Sequence, residues 1–110
     1  MKKITILLFA LMLMVACNSG KSAKEAKDMI AKNDCYTCHK IDEPLTGPPY
    51  AEVAKRYANS PDTIVNYLAH KVITGGKGNW GEIFMTPHYG ISKDDARAMV
   101  KYILSLNKKQ

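Results

Sequence analysis

Apolar residues in this chain form one short uninterrupted run, followed by several sets spaced as on helices. Residues 4–15 are almost wholly apolar, and Met1-Lys2-Lys3 sets positive charge in front of them. A helix crossing about 30 Å of hydrocarbon needs about 20 apolar residues, so this run is too short to span and reads as an export signal. Beyond it the period becomes helical. Ser22 with Glu25 three positions later is a capping-box signature, and Ala26 and Ile30 share a face, which predicts a helix over residues 23–33. Gly47-Pro48-Pro49 interrupts regular structure, after which Val53, Ala54 and Tyr57 mark a short helix over 50–57. Ser60 as N-cap, Pro61 at the first helical position and Asp62 in the first turn announce a third helix. It carries Ile64, Val65, Leu68, Val72 and Ile73, and Gly75-Gly76 ends it. Ser92 with Asp95 opens a last helix whose stripe is Ala96, Met99, Val100, Ile103 and Leu104, with Lys108-Lys109 at the negative end of its dipole. No strand-length alternation and no internal repeat competes, so the expected fold class is all-α.

Length narrows this to one small domain. The division expected is a signal peptide over 1–16, a tether over 17–22 and a folded domain over 23–110. A domain of this size buries a small fraction of its surface and generally needs a disulfide, a metal or a large apolar cofactor as support. The formal net charge is +6, and without Lys2 and Lys3 it falls to +4, with 14 basic against 10 acidic residues. The lysines are dispersed and no aromatic cluster is interleaved with them, which argues against nucleic acid as a partner. An acidic protein or a membrane surface suits the charge better.

Cys35-Tyr36-Thr37-Cys38-His39 is the C-x-x-C-H haem attachment signature. Two thiols separated by two residues reach the two vinyl groups on one porphyrin, and the next residue, a histidine, is then held beneath the iron. A thioredoxin-like redox pair would want a βαβ context, and a zinc site would want a second Cys or His pair at metal spacing. The sequence has neither. One covalent haem c is therefore the expected cofactor, with His39 as an axial ligand of its iron.

Of the three cysteines this leaves Cys17 unexplained in an exported chain. Met14-Val15-Ala16-Cys17 resembles the lipobox of bacterial lipoproteins, with Met14 where leucine is usual. Lipidation of Cys17 would supply two acyl chains, enough for stable anchoring. The alternative is ordinary signal cleavage leaving a soluble periplasmic protein. Residues 18–21 reach at most about 14 Å when extended, so a lipidated domain would sit close to the bilayer.

The sixth iron position has five candidates, Met29, Met85, Met99, His70 and His88. Met99 lies on the apolar stripe of the last helix and Met29 precedes the first cysteine by six residues, so both read as core. His70 falls on the polar side of the third helix. Met85 lies in residues 74–91, a stretch with five glycines that can fold across a haem face, and it is the chosen ligand. His88, three residues on, is the rival, and bis-histidine ligation would lower the potential that Met/His ligation raises.

Together these residues resemble the small monohaem class I cytochromes c of bacteria. The resemblance covers residues 23–106 and rests on Cys35 to His39, Gly47-Pro48, Tyr50, Val53-Ala54, Tyr57, Gly75-Gly76, Gly78, Trp80-Gly81, Met85 and Pro87 in the family's order. It implies the class I cytochrome c fold, three to four helices around one covalently bound haem c. It also implies that the Pro48 carbonyl accepts the Nδ1 proton of His39 and that the Trp80 indole points towards a haem propionate. Where the family commonly has Met-Pro-Pro-Asn, this chain has Met85-Thr86-Pro87-His88.

The function expected is single-electron transfer without substrate turnover. Partners would be an oxidase, a reductase or a quinol-oxidising complex, met in the periplasm or at the outer side of the cytoplasmic membrane. Peroxidase or gas-sensing chemistry would need an open iron position or an acid and base beside it, and the distal segment offers only Glu82 and His88. A permanently bound oxidase subunit is the third possibility.

Overall fold

Ser22 Oγ accepts a hydrogen bond from the Glu25 amide at 3.1 Å and so closes the first turn of α1 (Ala23–Lys32). The computed structural model describes residues 20–107, so the leader, Cys17 and Lys108-Lys109 lie outside the described residues. α1 buries Ala26 and Ile30, the two positions its spacing selects. Asn33 ends it, with its amide and its side chain both donating to the Met29 carbonyl. A short 3-10 turn, Cys35–Thr37, follows directly.

α2 (Tyr50–Arg56) starts after Pro49, whose φ of −61° suits the residue before a first turn. α3 (Thr63–Thr74) begins later than expected, and Ser60 is not its N-cap. The Ser60 amide is engaged with the Tyr57 carbonyl in the turn that leaves α2. The carbonyls of Pro61 and Asp62 instead accept from the Ile64 and Val65 amides, a tight i to i+3 entry with no side-chain cap. α4 (Lys93–Leu104) is capped by Ser92, whose Oγ accepts from the Asp95 amide at 3.1 Å. Lys21 adds an ion pair to Asp95 at 3.5 Å.

The stretch after α3, expected to be irregular, contains a two-stranded antiparallel hairpin, β1 (Gly76–Gly78) and β2 (Gly81–Met85). Gly76 pairs with Met85 and Gly78 with Gly81, with an irregularity between the pairs. Alternation could not reveal it. β1 is Gly-Lys-Gly, and the large side chains of β2, Ile83 and Phe84, are consecutive and both exposed.

α4 is the centre of the molecule and packs against α1, α2 and α3. Ala96, Met99, Val100 and Ile103 are buried there with Ile30, Val53 and Ala69. Each large apolar side chain buried this way contributes about 1.5–3 kcal/mol relative to exposure. Helices form most of the core, joined by Cys35 from the 3-10 turn and Ile91 from the segment before α4, and no helix among the described residues is long and apolar enough to cross a membrane.

Candidate haem site

Asp34, in the left-handed region (φ 59°), swings the chain out of α1 into the Cys35–Thr37 turn. Its carbonyl accepts from the Thr37 amide, and the Cys35 carbonyl accepts from the amides of Cys38 (3.2 Å) and His39 (2.9 Å). One turn therefore carries both thiols and the histidine. Both thiols are free, Cys35 buried and Cys38 half-buried. Burial pushes the Cys35 thiol above its ordinary range, and its Sγ donates to the Asn33 carbonyl at 3.8 Å.

The segment between His39 and α2 folds back on this turn. Gly47 donates to the Cys38 carbonyl at 2.7 Å, Tyr50 to Lys40 and Ala51 to Ile41. These bonds bring the Pro48 carbonyl oxygen to 2.9 Å from His39 Nδ1. A carbonyl only accepts, so Nδ1 carries the proton and Nε2 keeps its lone pair, the state a metal-ligating imidazole needs. A Cβ on Gly47 would lie 2.5 Å from His39 Cε1, so only glycine lets the backbone pass this ring. The Tyr50 ring stacks on the imidazole, with centroids 4.9 Å apart and planes 17° from parallel.

A cavity of about 490 Å³ opens over this turn, lined by Cys35, Cys38, His39 and Pro48 together with Trp80, Met85 and His88. Much of the remaining wall is apolar, including Val53, Leu68, Val72, Met99, Val100 and Ile103. Of the five candidates for the sixth position, Met85, His88 and Met99 line it. Met99 is 1% exposed within the core, His70 faces solvent on α3, and Met29 packs on the core away from the cavity. Among the described residues no group of three or more His, Cys, Asp or Glu is placed to hold a metal ion.

Met85 is presented by the end of β2, and the chain beyond it is tied down where the His88 amide donates to the Ile73 carbonyl at 3.0 Å. Gly75 permits this approach. It has φ 68°, and a Cβ there would collide with the Met85 carbonyl and the Pro87 nitrogen. Trp80, at the hairpin turn, is 41% exposed, and the Arg56 guanidinium lies 3.8 Å above its ring. Arg56 also donates to the Asn79 carbonyl at 2.6 Å, and Asn79 donates to the Tyr67 hydroxyl. Sequence reasoning missed Arg56, Asn79 and Tyr67 altogether and took Tyr50 as a helix residue and a point of family resemblance, with no role at the site. No local motif marks a cation over an aromatic ring 24 residues away.

A family model described as Cytochrome c matches residues 23–107. The chain belongs to the cytochrome c family. This cytochrome is 37% identical to cytochrome c-552 of Nitrosomonas europaea over 84 residues, 76% of this chain and 81% of that one. Its similarity to cytochrome c-551 of Stutzerimonas stutzeri, at 30% identity, extends over 96% of this chain and 99% of that one. The crystal structure of the Nitrosomonas europaea cytochrome superposes with a TM-score of 0.69, covering 74% of this chain and 99% of that one. A class 1 cytochrome from Sideroxydans lithotrophicus does so at 0.66 and 29% identity, over 77% and 96%. The architecture is thus the class I cytochrome c fold, with the small hairpin as its one departure from helices among the described residues. The cytochrome is an electron carrier that binds one covalent haem c with its iron. The residues present fit that group, since the cavity holds two free thiols at the required spacing, an imidazole with Nε2 free and a thioether.

Proposed function

We propose that this cytochrome holds its haem through Cys35 and Cys38, ligates the iron with His39 and Met85, and passes single electrons between redox proteins outside the cytoplasm without turning over a substrate. When bound, the haem supplies an iron that alternates between ferric and ferrous. The observation that carries the reading is the His39 Nδ1 contact with the Pro48 carbonyl at 2.9 Å, beside two free thiols and in one cavity with Met85. That contact orients the imidazole and raises its basicity towards a metal. Apolar walls keep water from the site, and Trp80 at the rim supplies a donor for a propionate. Optical spectra of oxidised and reduced protein, wild type and Met85→Ala, test the ligation. A weak near-infrared charge-transfer band is expected from ferric wild type and is expected to vanish in the variant.

One observation favours His88 as an alternative sixth ligand. It lines the cavity and its Nδ1 is buried without a hydrogen-bond partner. A wild-type spectrum without the near-infrared band, together with a low potential, would select it over Met85. Rapid binding of carbon monoxide or cyanide to the native protein would instead mean an open iron and reopen peroxidase or gas-sensing chemistry.

Export rests on the leader over residues 1–16, into which the similarity to the Stutzerimonas stutzeri protein extends. Lipidated Cys17 would hold the domain, reached through the tether at 17–22, at the outer side of the cytoplasmic membrane. An oxidase, a reductase or a quinol-oxidising complex would be the partner.

A further inference from the structure

We propose that Tyr50 is a positioning residue for the haem site, its ring holding the plane of the His39 imidazole. The inference rests on the haem attachment and His39 ligation proposed above and adds a residue to that site.

The imidazole plane is set by rotation about Cβ–Cγ, and the single hydrogen bond from Nδ1 to the Pro48 carbonyl restrains that rotation from one edge of the ring. A contact on the face of the ring stiffens the same rotation. Tyr50 supplies a face: the rings are stacked at 4.9 Å and 17°, and a face-on neighbour at that separation resists rotation of the imidazole by direct overlap. Tyr50 can act as a fixed wall because it does not itself move freely. It is 5% exposed, it is the first residue of α2, and its amide is bonded to the Lys40 carbonyl at 2.9 Å.

Proton NMR of the ferric holoprotein tests this, because the shifts of the haem methyl groups follow the orientation of the axial ligand planes. Wild type comes first: strongly shifted, fast-relaxing imidazole protons assigned to His39 establish the ligation on which the inference rests, whatever the variants do. Tyr50→Phe keeps the ring, so the order of methyl shifts should stay as in wild type. Tyr50→Leu and Tyr50→Met remove the ring and should change the order or spread of the methyl shifts. A residue that only filled space would alter melting temperature alone. Wild-type methyl patterns in either non-aromatic variant that binds haem would overturn the role of the ring. Should neither bind haem, a rearranged methyl pattern in Tyr50→Phe overturns it, since the stack is then present without control of the plane.

Discussion

Two glycines decide whether both proposed ligands can reach the cavity. A side chain at Gly47 would enter the His39 ring, and one at Gly75 would meet the Met85 carbonyl from a backbone with φ 68°. Gly75→Ala should therefore weaken the near-infrared band and speed carbon monoxide binding to the ferrous protein, while the visible haem spectrum and covalent attachment persist. Parallel optical and ligand-binding measurements on wild type and variant check it. Burial pushes the phenols of Tyr36 and Tyr50 above their ordinary value of 10.0, and their rings lie 6.2 Å apart. The unfolded chain loses these protons as pH rises through 10, the folded chain keeps them, and stability therefore falls with pH there. In Tyr36→Phe that alkaline decline should be shallower, as denaturant titrations between pH 8 and pH 11 would show. Cys35, Cys38 and His39 were legible because their chemistry is sequential. Gly47 and Gly75 were read as punctuation and as points of family resemblance, but not for the close approaches they permit, since the atoms they make room for are brought there by folding.

Among the elements, α1 and α4 are joined through Ile30, which is fully buried against the α4 face. Ile30→Ala should cost about 2–5 kcal/mol, measured by denaturant unfolding of the holoprotein, because the lost methylene groups leave a cavity that the two helices cannot close. The hairpin is held differently. Its turn is clasped by Arg56 from α2 and, through Asn79, by Tyr67 from α3, all at exposed positions. Removing a cation from an exposed aromatic face costs about 0.5–1 kcal/mol. Arg56→Ala should accordingly raise amide exchange in β1 and β2 well above wild type while global stability changes little. Helix faces and two of the N-caps were legible from spacing. The hairpin was not, since its strands are short and glycine-rich and a tertiary clasp compensates for their weak pairing.

At the scale of the whole molecule, the +4 charge left without Lys2 and Lys3 bears on encounter with partners. Electron transfer to an acidic partner should slow as salt rises, because screening over about 10 Å at 0.1 M removes long-range steering. Stopped-flow rates across ionic strength measure this, and a flat profile would exclude lysine-guided docking. If Cys17 carries the lipid, Cys17→Ser should move the cytochrome from the membrane fraction to the soluble fraction without changing its haem spectrum, since Cys17 lies outside the domain that binds haem.

The sequence by itself determined the helical periods, the capping serines of α1 and α4 and the cofactor, because each depends on residues within a few positions of one another, and the family, because its motifs keep their order along the chain. Tertiary structure brought the Pro48 carbonyl to 2.9 Å from His39 Nδ1, and it alone decided which thioether and imidazole side chains line the cavity, that Tyr50 stacks on His39 and that Arg56 clasps the hairpin. The reason is geometric. A ligand sphere gathers atoms from the Cys35–Thr37 turn, the 40–49 loop, α2 and the hairpin, and only the packing of those elements onto α3 and α4 sets their distances.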